Sequence, residues 1–130
     1  TGIRMALNFG HTLGHAIESF HMESESKTKL LHGEAVAIGM ILALKLSVEV
    51  LHLKQEECDK ASSILSSYFK PIEFSESDIT HIKTYLKHDK KNSAGNINFV
   101  LLEKIGSPKI NCKVSDKQIK KAFEYYKSLS

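Results

Sequence analysis

The sequence predicts a mainly α fold, a helical bundle carrying one small β-hairpin. Three observations lead there. Five segments place apolar residues at helical spacing. One of them, His32 to His52, is apolar nearly all round, as a helix buried in the middle of a bundle must be. Only the stretch from Ile97 to Val114 changes to a β-rich pattern, broken by Gly106-Ser107-Pro108.

The elements follow in order. Residues 2–22 read as a first helix and Glu23 to Lys29, polar throughout, as a loop. The second helix, His32 to His52, carries Ala35, Val36, Ile38, Ile41, Leu42, Leu44, Leu46, Val48 and Leu51. Gln55 to Phe69 forms a third helix that stops ahead of Pro71, whose ring disfavours helix in the residue before it. Ser77 opens a fourth, with Ile79, Ile82, Tyr85 and Leu86 on its apolar face, running to about His88. Asp89 to Asn96 is a loop by composition. Ile97 to Leu102 then pairs with Lys109 to Val114. Ser115 with Gln118 three residues on is a capping box for the last helix, whose apolar face is Ile119, Ala122, Phe123 and Tyr126.

Composition narrows the function classes. The 130 residues are 42% hydrophobic and 25% charged, which suits one domain with one core and disfavours collagen-like, disordered and disulfide-scaffold chains. The longest apolar-rich run, Ala35 to Leu51, is interrupted by Lys45, Ser47 and Glu49, so no membrane span is expected. No basic-then-apolar leader opens the sequence, and a cytoplasmic location is expected. Cys58 and Cys112 fit no metal-binding or disulfide pattern and read as reduced packing residues. The net charge of +3, with Lys and Glu scattered, lacks the basic stripe of a nucleic-acid domain. The chain begins with Thr1 and its densest chemistry starts by residue 4, so a piece of a longer protein is expected.

That chemistry lies on the first helix. At about 100° per residue, Arg4, Asn8, His11, His15 and Glu18 fall within an arc of roughly 80°, opposite Met5, Phe9, Leu13, Ala16, Ile17 and Phe20. A solvated face is the ordinary explanation of such a stripe. Solvated faces, however, are normally built from Lys, Glu and Gln, whereas this arc offers a guanidinium, an amide and two imidazoles. Gly10 and Gly14, one turn apart, each cost about 1 kcal/mol relative to Ala in a helix, so the backbone is approached closely there by another helix or by a ligand. His11 and His15 have the i, i+4 spacing with which paired imidazoles chelate one metal. His32, followed by Gly33 at the mouth of the apolar helix, sits on an end rather than a face and is a candidate third imidazole.

Three motifs in order, Asn8 to Glu18, Leu31 to Met40, and His88 to Asn92 with Gly95 and Phe99 to Leu102, resemble the C-terminal half of the 3-dehydroquinate synthase family, a branch of the sugar-phosphate cyclases. The resemblance implies that residues 1–130 are a single α-helical metal- and substrate-binding domain of a two-domain enzyme. A Rossmann-like N-terminal domain binding NAD lies outside this chain, which itself holds no cofactor-binding residues. The implied reaction converts 3-deoxy-D-arabino-heptulosonate 7-phosphate to 3-dehydroquinate and phosphate in the shikimate pathway of aromatic amino acid biosynthesis. It is a carbon–oxygen lyase step dependent on NAD and on zinc or cobalt.

By position, the resemblance makes His11 and His32 zinc ligands, the third being a Glu of the N-terminal domain. That replaces the His11 and His15 pair suggested by spacing. His15 becomes a catalytic neighbour of the substrate phosphate, Arg4 and Asn8 become substrate-anion contacts, and Lys90 or Lys91 brings a further catalytic cation to the anion. Glu18 and Glu34 are left as partners behind the ligands or as solvated carboxylates. The implied partners are a sugar-phosphate substrate, the N-terminal domain and a second copy in a homodimer, with no nucleic acid or membrane. The 130 residues alone are expected to be inactive. The alternatives are a related cyclase such as 2-deoxy-scyllo-inosose synthase, an iron-containing alcohol or glycerol dehydrogenase, or a non-catalytic metal-binding helical module.

Overall fold

The computed structural model describes residues 10–24, 30–87, 97–104 and 106–129. Within them lie α1 (His11–Glu23), α2 (His32–Leu51), α3 (Gln55–Ser66), α4 (Glu76–Lys87), the strands β1 (Ile97–Lys104) and β2 (Ser107–Val114), and α5 (Asp116–Ser128). The mainly α architecture with one hairpin is therefore the one the sequence implies. No described helix is long and apolar enough to cross a membrane.

Helix α2 is the trunk. It packs against α1, α3, α5 and β1, and its buried residues, among them Ala35, Ile38, Ile41, Leu42, Leu44 and Leu46, point to every side. An all-round apolar helix is stable in water only when neighbours cover it completely. One polar residue inside this shell is Ser47, fully buried. Its hydroxyl donates to the Ala43 carbonyl at 2.7 Å and accepts the Leu102 amide proton at 2.9 Å, which ties β1 to the trunk. The helix ends where His52 turns left-handed and the Leu53 amide closes on the Ser47 carbonyl at 3.2 Å, one residue sooner than expected.

The first helix differs from its expectation. A single helix over residues 2–22 is not formed, because Gly10 has φ +79° and a right-handed helix cannot continue through that conformation. Helix α1 begins at His11, and residues 1–9 lie outside the described residues. From there Leu13, Ala16, Ile17 and Phe20 face the core as their spacing implies. Phe20 also stacks on His81 of α4, with ring centres 5.9 Å apart.

Smaller shifts have local causes. Helix α4 starts at Glu76 rather than Ser77 because Ser75 has Asp78 three residues on: the Asp78 amide donates to Ser75 Oγ at 3.1 Å and the Ser75 amide to Asp78 Oδ2 at 2.9 Å. Helix α3 stops at Ser66, three residues short, where the Ser66 and Ser67 hydroxyls fold back onto the carbonyls of Ser63 and Ile64 at 3.2 and 2.6 Å. The hairpin is longer than expected. Lys104 pairs with Ser107 across Gly106, at φ +89°, so Ser107 and Pro108 begin β2 instead of forming the turn.

The last helix keeps its expected cap and face. The Gln118 amide donates to Ser115 Oγ at 3.2 Å, the Ser115 amide to Gln118 Oε1 at 2.9 Å, and Ile119, Ala122, Phe123 and Tyr126 are buried. Both cysteines are free thiols. Cys58 is fully buried, Cys112 half-buried, and burial pushes both thiols above their ordinary range.

Replacing Ser47 by Ala leaves the part-buried Leu102 amide without its acceptor and is expected to cost about 1 kcal/mol. The midpoint of urea unfolding of the parent protein, compared with a Ser63→Ala control at an exposed position, measures this.

Candidate functional site

The site is set by how α1 crosses α2. A Cβ on Gly14 would lie 3.0 Å from the Ala35 carbonyl oxygen and 3.2 Å from Val36 Cα. One on Gly10 would lie 2.5 Å from the Met40 nitrogen, and one on Gly39 2.6 Å from the Gly14 nitrogen and closer still to the Gly10 carbonyl. Such distances leave no room for a methyl group on either side. The glycine spacing thus serves helix–helix packing, with Gly10 doubling as the left-handed residue that admits the chain to α1.

The two helices run antiparallel, and each four-residue step along α1 is matched by a four-residue step back along α2. Gly10 meets Gly39 and Met40, and Gly14 meets Ala35 and Val36. One step further, Glu18 meets His32. The imidazole Nδ1 lies 3.2 and 3.3 Å from the two carboxylate oxygens. Because a carboxylate only accepts, this contact places a proton on Nδ1, and in the neutral ring the lone pair is then on Nε2. The Glu18 side chain is 23% exposed while that of His32 is 65% exposed, so among the described residues most of the imidazole is uncovered.

Glu34, one of the two carboxylates that sequence left unassigned, turns away from this work. Its Oε1 accepts the Leu31 amide proton at 3.0 Å and caps the first turn of α2. His32 is the first residue of that helix, on an end as its position implies, and His15 is exposed on α1. His11 opens α1, and its side chain lies outside the described residues. Arg4, Asn8, Lys90 and Lys91 also lie outside them. Because the chain turns left-handed at Gly10, the arc read across one continuous helix is interrupted at that residue.

The donor chemistry fits half of a metal centre. Among the described residues no three His, Cys, Asp or Glu side chains gather closely enough to hold an ion. What is present is an imidazole with one nitrogen fixed by a carboxylate and the other free, the form in which histidine ligates zinc. Further donors would have to come from outside those residues. Elsewhere, burial pushes the Tyr125 phenol above its ordinary range in a cluster with Cys58, Ser62 and Asp59. That cluster joins α3 to α5, and the Tyr125 hydroxyl donates to Asp59 Oδ1 at 2.7 Å. A shallow groove between α2, α3 and α5, lined by Ile38, Ile41, Leu65, Phe69 and Tyr126, is mainly apolar and includes neither His32 nor Glu18.

The sequence left Glu18 as a partner behind a ligand or as a solvated carboxylate, and what it did not specify is the pairing with His32. Its signal was available in retrospect, as the four-residue spacing of Gly10, Gly14 and Glu18 against that of His32, Val36 and Met40.

Comparison with known proteins converges on one family. The family described as 3-dehydroquinate synthase C-terminal matches residues 1–92. A 3-dehydroquinate synthase of Parabacteroides distasonis is 36% identical over 126 residues, 97% of this chain and 35% of that protein. One of Clostridium tetani is 38% identical over 95% of this chain and 31% of its own length. The chain thus spans about a third of the relatives it matches. Among solved structures, a 2-deoxy-scyllo-inosose synthase complexed with carbaglucose-6-phosphate, NAD+ and Co2+ superposes at TM-score 0.69 with 28% identity, covering 91% of this chain and 34% of that one. A 2-epi-5-epi-valiolone synthase from Streptomyces hygroscopicus with NAD+ and Zn2+ bound shares the fold at TM-score 0.71 with 22% identity, over 95% of this chain and 33% of that one.

Since Glu34 serves as a cap, Glu34→Gln, which keeps an acceptor, is expected to leave the first turn of α2 protected, and Glu34→Ala to loosen it by about 1 kcal/mol. Hydrogen exchange at the Leu31 amide of the parent protein distinguishes the two.

Proposed function

This chain belongs to the 3-dehydroquinate synthase family, matching its C-terminal part, and from that premise we propose that its parent protein converts 3-deoxy-D-arabino-heptulosonate 7-phosphate to 3-dehydroquinate and phosphate. The observation that carries this beyond family membership is the imidazole at the start of α2, held through Nδ1 by Glu18 with its other nitrogen open.

In this proposal His32 and His11 are the two protein ligands that the chain gives to a divalent ion, zinc or cobalt, and a Glu of an N-terminal domain is the third. Bound there, the ion would act as a Lewis acid toward the substrate hydroxyls, while NAD on the N-terminal domain would take up and return a hydride. The rest falls to side chains of this chain. Arg4 and Asn8 bind the substrate anion, the guanidinium as a charged fork and the amide as a hydrogen-bonding group. Lys90 or Lys91 adds an ammonium to the same charge. His15, one turn beyond His11 and exposed, moves a proton near the phosphate. Cations placed where negative charge develops favour departure of phosphate as an anion.

The working unit proposed is the two-domain chain, as a homodimer in the cytoplasm. A second reading is a sister cyclase. The structural neighbour named 2-deoxy-scyllo-inosose synthase supports it, and glucose 6-phosphate is the substrate that would distinguish it.

The test is phosphate release from 3-deoxy-D-arabino-heptulosonate 7-phosphate with NAD and zinc, using the parent protein, its His32→Ala variant and residues 1–130 alone. Release by the parent is expected to fall roughly 10³-fold in His32→Ala, the scale of losing several kcal/mol of Lewis-acid stabilisation. The 130 residues are expected to give none. A folded, zinc-loaded parent that releases phosphate only from glucose 6-phosphate would move the assignment to the sister enzyme. Full activity in His32→Ala would remove His32 from the centre.

A further inference from the structure

We infer that Glu18 is a positioning residue: through its contact with Nδ1 it fixes the tautomer and ring orientation of His32, so that Nε2 is presented to the metal. The inference rests on the proposed role of His32 as a ligand and adds to the site a residue whose own oxygens do not touch the ion.

Three observations carry it. Both Glu18 oxygens lie within hydrogen-bond reach of the same nitrogen, at 3.2 and 3.3 Å, so the carboxylate is centred on that N–H. Glu18 does not reach His32 by chance flexibility. It is the next four-residue step after Gly10 and Gly14 along a crossing too close to admit a methyl group, and that crossing sets the separation of the two backbones. Finally, the pair is asymmetric in exposure: the carboxylate is mostly covered and the imidazole mostly open. A contact whose only function was to staple two helices has no need of a ring with one nitrogen left free. A ligating histidine does, and a carboxylate behind it raises its basicity and removes the rotational freedom it would otherwise lose on binding.

The experiment measures zinc affinity of the parent protein, by competition with a chromogenic chelator, in wild type, Glu18→Gln, Glu18→Ala and His32→Ala, with thermal unfolding of each metal-free form alongside. Glu18→Ala is expected to weaken zinc binding 10- to 100-fold and Glu18→Gln, which keeps an acceptor without the charge, by less, with metal-free melting temperatures near wild type. Unchanged zinc affinity in Glu18→Ala, with His32→Ala defective, would overturn the positioning role and leave the ligand assignment standing. Wild-type zinc affinity in His32→Ala would overturn both. Should the Glu18 variants fold poorly, nitrogen NMR of 15N-histidine-labelled wild-type protein decides independently. A metal-free His32 protonated on Nδ1 is expected, and one protonated on Nε2 contradicts the inference.

Discussion

Where the start of α1 crosses α2, the backbones lie so close that a methyl group on Gly10 or Gly39 would collide with main-chain atoms of the facing segment, and one on Gly14 would press against the Ala35 carbonyl at 3.0 Å. Much of the candidate site depends on this closeness. Interiors pack too densely to absorb an added methyl without moving the helices apart, at about 1–3 kcal/mol. Moving them apart would also separate Glu18 from His32, because that pair is the next contact along the same seam. The packing that stabilises the hairpin of helices is therefore the packing that orients the imidazole.

The rest of the fold keeps the seam in place. Helix α2 is covered on its remaining sides by α3, α5 and β1, and Ser47 bonds it to the backbone of β1. Phe20 on His81 brings α4 against the far side of α1. Backbone groups at three helix starts are satisfied locally. Glu34 caps the start of α2, and reciprocal capping pairs start α4 and α5. With its first turn tied down in this way, α2 holds His32 on a helix end instead of a loop, which suits the ligand role proposed for it.

Much of this was legible in the residues, and the parts that were not share a cause. The apolar surround of α2, the Ser115 and Gln118 cap and the buried face of α5 follow from spacing alone, because they depend on residues three or four positions apart. The break at Gly10 does not. A glycine reads equally as a close-packing position or as a left-handed one, and this residue is both. Ser75 and Ser77 are equally good caps by type, and Asp78 decides between them. Glu18 and His32 are 14 residues apart and meet only once the crossing is known. The family resemblance reached the imidazoles without the crossing, yet for Glu18 and Glu34 alike it left open a place behind a ligand or a solvated face, and only the crossing assigns Glu18 to His32.

The central claim is that the close crossing of α1 and α2 presents His32 to a metal through Nε2. It is tested most directly by anomalous diffraction from zinc-loaded crystals of the parent protein. The expected result is a zinc peak about 2.0–2.1 Å from His32 Nε2, with Nδ1 still on Glu18. Zinc bound elsewhere with the His32 ring free, or zinc on His32 with Glu18 turned away, would contradict it.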